Sequence, residues 1–278
     1  MVKKYFNLVV LLVVLSSSHV HSKVIAPRPD LFSTLTHTDP IGVIANFLGD
    51  KVRVTPDSIR VVALRVEFVE DNLATTTGNG KFVYSTSSEY KFDKPPHDKA
   101  YFEQQLLALM NYFKTVSSGR INFSSHVFPV DNTSAYQLAH DMVYYSGQEN
   151  KELKKRRWAE LLSESIHLAL QDPQGPDLTQ YDIFIIFHAG VGNDFAFDFN
   201  PTPYNIQSVF LDFESLGEYL GNGDPLFQGI KVTDDFFIRE GIILPETQNQ
   251  QGIDLGLLGT MTLLVGSQLG MPNLFNTE

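Results

Sequence analysis

The sequence predicts an α/β (α+β) fold in which helices pack on a twisted mixed sheet and a buried central helix comes last. Three stretches predict it. Residues 59–68 are β-branched-rich and largely apolar, the pattern of a strand covered on both faces. Residues 98–116 carry Phe102, Leu106, Leu109 and Phe113 at intervals of four, three and four, which is one helical face. Residues 254–269 hold one charge, Asp254 at the start, and are apolar or small on nearly every side, so this helix is expected in the core with Leu263 and Leu264 buried.

The remaining elements follow in order. Lys3 and Lys4 precede eight unbroken apolar residues, 8–15, and Val20-His21-Ser22 offers a small residue for cleavage. Residues 1–22 therefore read as a signal peptide, because the apolar run is shorter than the ~20 residues a membrane span needs. Residues 23–58 form an irregular lead-in, broken by Pro27, Pro29, Pro40 and Pro56. Residues 59–278 form the main domain. Within it, 70–98 is a loop with a short hairpin at 82–84. Asp98 caps the first helix, and Ser118-Gly119 ends it. A strand is expected over 120–130 and a second helix over 148–171, with Trp158, Leu161, Leu162, Ile166 and Ala169 facing inward. Residues 181–188 read as a doubly buried strand ending in a turn at Gly190-Val191-Gly192. Short strands follow at 208–211 and at 241–244, the latter closed by Pro245. Gly270 and Pro272 stop the last helix.

Composition narrows the function. With 43% apolar and 19% charged residues, the chain is an ordinary globular one. Its 21 basic and 32 acidic side chains give a net charge of −11, a poor match to nucleic acid. The basic run Lys154-Lys155-Arg156-Arg157 is read as a solvated helix face. The chain has no cysteine, so disulfides, thiolate metal sites and cysteine nucleophiles are excluded. Export without cysteine suits a bacterial secreted, periplasmic or cell-surface protein stabilised by its core. No membrane span is expected once the signal is removed.

Motifs for chemistry are sparse. The eight histidines stand at 19, 21, 37, 97, 126, 140, 167 and 188, and no two are four apart. The paired imidazoles of a local zinc helix are therefore absent. Neither Gly-x-x-x-x-Gly-Lys nor Gly-x-Ser-x-Gly occurs. Asp194, Asp198, Asp212 and Glu214 are oxygen donors of the type calcium takes, but the simpler reading is turn acids bonding local backbone. His188, at a strand end, is read as a packed histidine before a site residue. Asn122-Phe-Ser and Asn132-Thr-Ser are sequons that matter only in a eukaryotic secretory pathway.

Four stretches carry a family resemblance: Tyr101-Phe102 through Ser117-Ser118-Gly119-Arg120, then Asp182-Ile-Phe-Ile-Ile-Phe-His-Ala-Gly-Val-Gly, then Ile243-Leu244-Pro245-Glu246-Thr247, and Leu269-Gly270-Met271-Pro272-Asn273-Leu274-Phe275. In this order the chain resembles the M6, immune inhibitor A type, secreted metallopeptidases of the zincin class. The last stretch is similar to the segment after that family's zinc helix. The family pattern is His-Glu-x-x-His-x-x-Gly-x-x-Asp. Matched at Gly270, it puts Leu263 and Ser267 at the two histidines, Leu264 at the glutamate and Asn273 at the aspartate. The resemblance thus implies a zincin-like fold whose zinc ligands and general base are replaced. No catalytic residue, metal or cofactor is expected. The family would use zinc, and calcium has no support beyond the acids named above. Only eight residues follow Gly270, which implies a truncated domain.

The expected function is a secreted pseudo-peptidase that binds a protein or peptide ligand or serves a structural role. Two alternatives stand beside it: an active zinc metalloendopeptidase with ligands from elsewhere, and a fragment of a larger cell-surface protein.

Overall fold

The computed structural model describes residues 58–88, 91–147, 150–195, 202–249 and 253–271, all within one unit spanning Ile41–Glu278. The expected signal peptide and nearly all of the lead-in lie outside the described residues. Strand β1 (Ile59–Glu67) is an internal strand of the sheet, with Val61, Val62, Ala63 and Val66 fully buried. Helix α1 (Lys99–Val116) follows, capped as expected by Asp98, whose side chain accepts from the Tyr101 N–H at 3.0 Å. Its expected face of Phe102, Leu106, Leu109 and Phe113 is fully buried.

Strand β2 (Phe123–Phe128) is shorter than expected, and the chain turns at Pro129. The buried Arg65 holds this turn: its guanidinium donates to the carbonyls of Pro129, Asp131 and Asn132 at 2.9, 2.5 and 2.8 Å. Strand β3 (Tyr136–Gln137) and helix α2 (Met142–Ser146) come next. Neither was expected, because two and five residues are too few to show a period. Helix α3 (Lys151–Gln171) starts at the Asn150 cap and buries Trp158, Leu161, Leu162, Ile166 and Ala169, as expected.

Strand β4 (Ile183–Val191) is buried throughout and runs on through Gly190, the first of the two glycines expected to end it, stopping before Gly192. A register shift between His188 and Val191 accommodates Gly190. Gly190 has φ +91°, a left-handed backbone that favours glycine, and a Cβ there would also press on the end of the Met142 side chain. Strand β5 (Val209–Leu211), helix α4 (Phe213–Tyr219), the small ribbon β6 (Ile230–Lys231) with β7 (Phe237–Ile238), and strand β8 (Gly241–Thr247) follow. Pro245 does not close β8. It stays in the strand, paired with His188 of the parallel neighbour β4 at the level where that strand's register shifts, while β5 reaches only Gly241, Ile242 and Ile243. Helix α5 (Leu257–Gln268) ends the described chain.

The sheet order is β2-β1-β4-β8-β5, with β3 alongside the end of β1. β1, β2, β3, β4 and β8 are parallel and β5 is antiparallel. This is a mixed α/β sheet with packed helices. Among the described residues, no helix is long and apolar enough to cross a membrane. The hairpin expected at 82–84 does not form. Phe82 is buried, and Val83 gives its N–H to the Glu246 side chain instead of a partner strand.

Candidate functional site

Helix α5 bears three of the four positions singled out by the family pattern. Asp254, the charge at the start of the apolar stretch, does not cap it. Asp254 lies three residues before the helix and accepts from the Lys91 N–H at 3.2 Å. Gly256 is the cap residue and has no side chain to offer. The first N–H, that of Leu257, is met from outside by Asp93 Oδ2 at 2.6 Å. The C-terminus is a Schellman turn. Gly270 stands at φ +80°, its N–H bonds the Ser267 carbonyl, and the Met271 N–H bonds that of Gly266, both at 2.9 Å. The stop at Gly270 is therefore as expected.

Leu257, Met261 and Val265 form the buried face of α5. The expectation that Leu263 is buried fails, because its side chain is 44% exposed. Leu264 is half-buried against the core. An apolar circumference kept the helix pattern from revealing which side faces the sheet. Ser267 is one turn below Leu263 on the same outer face, and its hydroxyl donates to the Leu263 carbonyl at 3.1 Å. Asn273 lies outside the described residues. The side chains at 263, 264 and 267 supply no imidazole and no carboxylate. They do not fit zinc, for leucine has no donor atom and a lone serine hydroxyl is too weak a ligand. Among the described residues no group of three or more His, Asp or Glu is placed to hold a metal ion.

The principal polar centre of the fold lies elsewhere, at the carboxyl end of β8. Glu246 is only 2% exposed, and its side chain collects three donors. The Val83 N–H reaches Oε1 at 2.7 Å, the Gly190 N–H reaches Oε2 at 2.8 Å, and His97 Nδ1 reaches Oε1 at 2.5 Å. His97, equally buried, places Nε2 2.8 Å from the Asp93 carbonyl. Both ring nitrogens thus face acceptors, which only the doubly protonated imidazolium satisfies. Burial alone would lower the pKa of His97. The Glu246 carboxylate and the Asp93 carbonyl outweigh it and hold the pKa above the usual 6.5. The Tyr101 ring packs against His97 at 4.4 Å, tilted by 40°, and its hydroxyl donates to the Glu246 carbonyl at 2.9 Å. Asp93 takes Gln105 Nε2 on Oδ1 at 2.8 Å while capping α5 with Oδ2, and burial raises its pKa despite those bonds. The cluster ties the 83–97 loop, α1, β4, β8 and α5 together. None of it was expected from the sequence. The one local signal was Glu246 standing after a proline at a strand end.

The other singled-out residues have local roles. His188 is fully buried, with Nδ1 2.9 Å from the Ala189 carbonyl, Nε2 unpaired and its ring 5.7 Å from Phe68. Burial lowers its pKa to about 4, so it is a neutral packed histidine. Asp194 accepts the N–H and hydroxyl of Ser208, both at 2.6 Å, and also bonds Gln248. Asp212 caps α4 by accepting from the Ser215 N–H at 2.9 Å, and Glu214 is in that helix's first turn. Asp198 lies outside the described residues. Asn132 Nδ2 donates to Asp98 Oδ2 at 2.8 Å, and Asn122 Nδ2 to the Gly119 carbonyl at 3.3 Å.

The basic run is not a freely solvated face. Lys154 donates to Gln207 at 3.0 Å, Arg156 to the Tyr219 carbonyl at 3.0 Å, and Lys155 lies over the Tyr219 ring at 5.7 Å. Arg157 lies 3.7 Å from the centre of the Tyr144 ring and donates to Glu160 at 2.6 Å. The run docks α2 and α4 onto α3.

No protein-family model matches the chain, and no curated protein is significantly similar to it.

Proposed function

We propose that this is a secreted M6-like pseudo-peptidase: a zincin-type scaffold that has lost its zinc ligands and general base and acts by binding a protein or peptide. The observation that carries the reading is the outward turn of α5. A zinc helix must present its two ligand positions, one turn apart, to the solvent side. Leu263 and Ser267 occupy one outer face, and Leu263 is 44% exposed although it is apolar. A mixed sheet whose last strand leads into this helix is compatible with the same reading.

The chemistry follows from the side chains. Zinc in this class of site would polarise the peptide carbonyl and acidify a water. Without imidazoles at 263 and 267, nothing on the helix holds it. Without a carboxylate at Leu264, no group there takes the water's proton. What remains is a helix face that can be touched by a chain but cannot cut it.

The test is to rebuild the motif with Leu263→His, Leu264→Glu, Ser267→His and Asn273→Asp in one chain. The rebuilt protein is expected to gain zinc affinity by at least tenfold over wild type in a competition titration. A folded quadruple variant with no gain would refute the match of α5 to the zinc helix.

A further inference from the structure

A second site stands apart from α5, in an open cavity of about 390 Å³ lined by α2, α3 and the end of α4. Its floor is the outer face of α3, where Glu160, Ser163, Glu164 and His167 recur at intervals of three, one and three. Its wall is His140, Tyr144 and Tyr145. The volume lies within the range of pockets that take small ligands.

The lining is matched to hydrogen-bond donors. Glu164 accepts from the Ala139 N–H at 2.7 Å on Oε1 and from the Tyr145 hydroxyl at 2.5 Å on Oε2. Both partners are neutral, and a second lone pair remains on each oxygen. Among the described residues no cation is paired with Glu164, whereas Glu160 is paired with Arg157 at 2.6 Å. Two carboxylates against one guanidinium leave the cavity one charge negative. His167 is exposed and places Nδ1 2.7 Å from the Ser163 carbonyl, so in the neutral ring the proton sits on Nδ1 and Nε2 presents a lone pair. His140 is exposed and stacks on Tyr144 at 3.8 Å. The acidity of the whole chain, net −11, draws the same sign of ligand.

We infer that this cavity binds a primary alkylammonium group. An ammonium carries one charge and three donors on a compact head, which meets Glu164, the Ser163 hydroxyl and a free imidazole nitrogen together. The group has two sources, a free amine or a lysine side chain on a peptide. This inference does not rest on the pseudo-peptidase reading, since no lining residue belongs to α5.

The test is a titration of the full chain followed by amide shifts in ¹H–¹⁵N spectra. The probes are n-butylammonium, tetramethylammonium and a short lysine peptide with its acetyl-lysine counterpart. Saturable shifts at Ala139, Tyr145 and Ser163 are expected with n-butylammonium, with a Kd at least tenfold below that of tetramethylammonium, which has the charge but no donors. Glu164→Gln is expected to weaken binding at least tenfold. His167→Leu, on the exposed helix surface, is a second variant with an intact fold and is expected to weaken it several-fold. A lysine peptide binding tenfold tighter than n-butylammonium, with loss on acetylation, assigns a peptide source. Equal affinities assign a free amine. No saturable shift, equal binding of tetramethylammonium, or a folded pair of variants that bind as wild type does would overturn the inference.

Discussion

Replacing Glu246 by Gln tests the buried cluster at the end of β8. Three donors converge on this side chain: two backbone N–H groups at 2.7 and 2.8 Å and the His97 imidazole at 2.5 Å. A carboxamide turns an NH2 donor against one of them and leaves His97 without its anion. Removing one partner of a buried pair costs about 3–5 kcal/mol, because the other charge stays buried. That is a large part of the ~5–15 kcal/mol that holds a domain folded. The assay is guanidinium unfolding followed by the fluorescence of the single tryptophan, Trp158, buried in α3. A loss below about 1 kcal/mol would refute the reasoning, since the pair would then contribute no more than an exposed one. The pH dependence adds a second readout. The pKa of His97 is raised on folding, so its contribution is complete below 6.5 and is lost as pH climbs through the folded value. His188 works in the opposite direction. Its pKa falls to about 4, so stability drops as pH goes below 6.5, at about 1.4 kcal/mol per pH unit and by roughly 3 kcal/mol at pH 4. From these two groups, stability peaks near pH 6.5. Glu246→Gln should flatten the alkaline side and leave the acid side.

Other expectations are simpler. Asp93→Ala removes the external cap of α5 and the bond to Gln105, and should lower stability by about 1–2 kcal/mol in the same unfolding assay. Leu263→Glu should cost less than about 1 kcal/mol, whereas Val265→Glu, on the fully buried face, should cost several and is read by the same titration. Secreted protein should begin at Lys23 in N-terminal sequencing; Met1 on the exported form would contradict the signal-peptide reading.

The parts of the fold legible in the sequence are those whose pattern is local. Phe102, Leu106, Leu109 and Phe113 declare a helical face, Asp98 declares its cap, and the apolar run in β4 declares a buried strand. Where the outcome depends on a distant partner, the pattern misleads. Pro245 looks like a strand end, but it stays in β8, paired with His188 of β4 where that strand's register shifts. Gly190 looks like a turn, but its bulge lets β4 run on and turns its N–H to Glu246. Leu263 and Leu264 look alike in an apolar helix, and only the sheet beneath α5 separates the exposed one from the half-buried one. The basic run at 154–157 is solvent-seeking by composition, yet Tyr144 and Tyr219 supply ring faces that sequence cannot bring next to it. The His97–Glu246 pair spans 149 positions, which no local pattern registers.

The account turns on whether α5 is a zinc helix stripped of its ligands. The most direct measurement is zinc per chain by elemental analysis of the dialysed wild-type protein, paired with chelator-controlled casein cleavage. The account predicts no stoichiometric zinc and no cleavage, because Leu263, Leu264 and Ser267 offer neither imidazole nor carboxylate. One zinc per chain with cleavage abolished by chelator would contradict it.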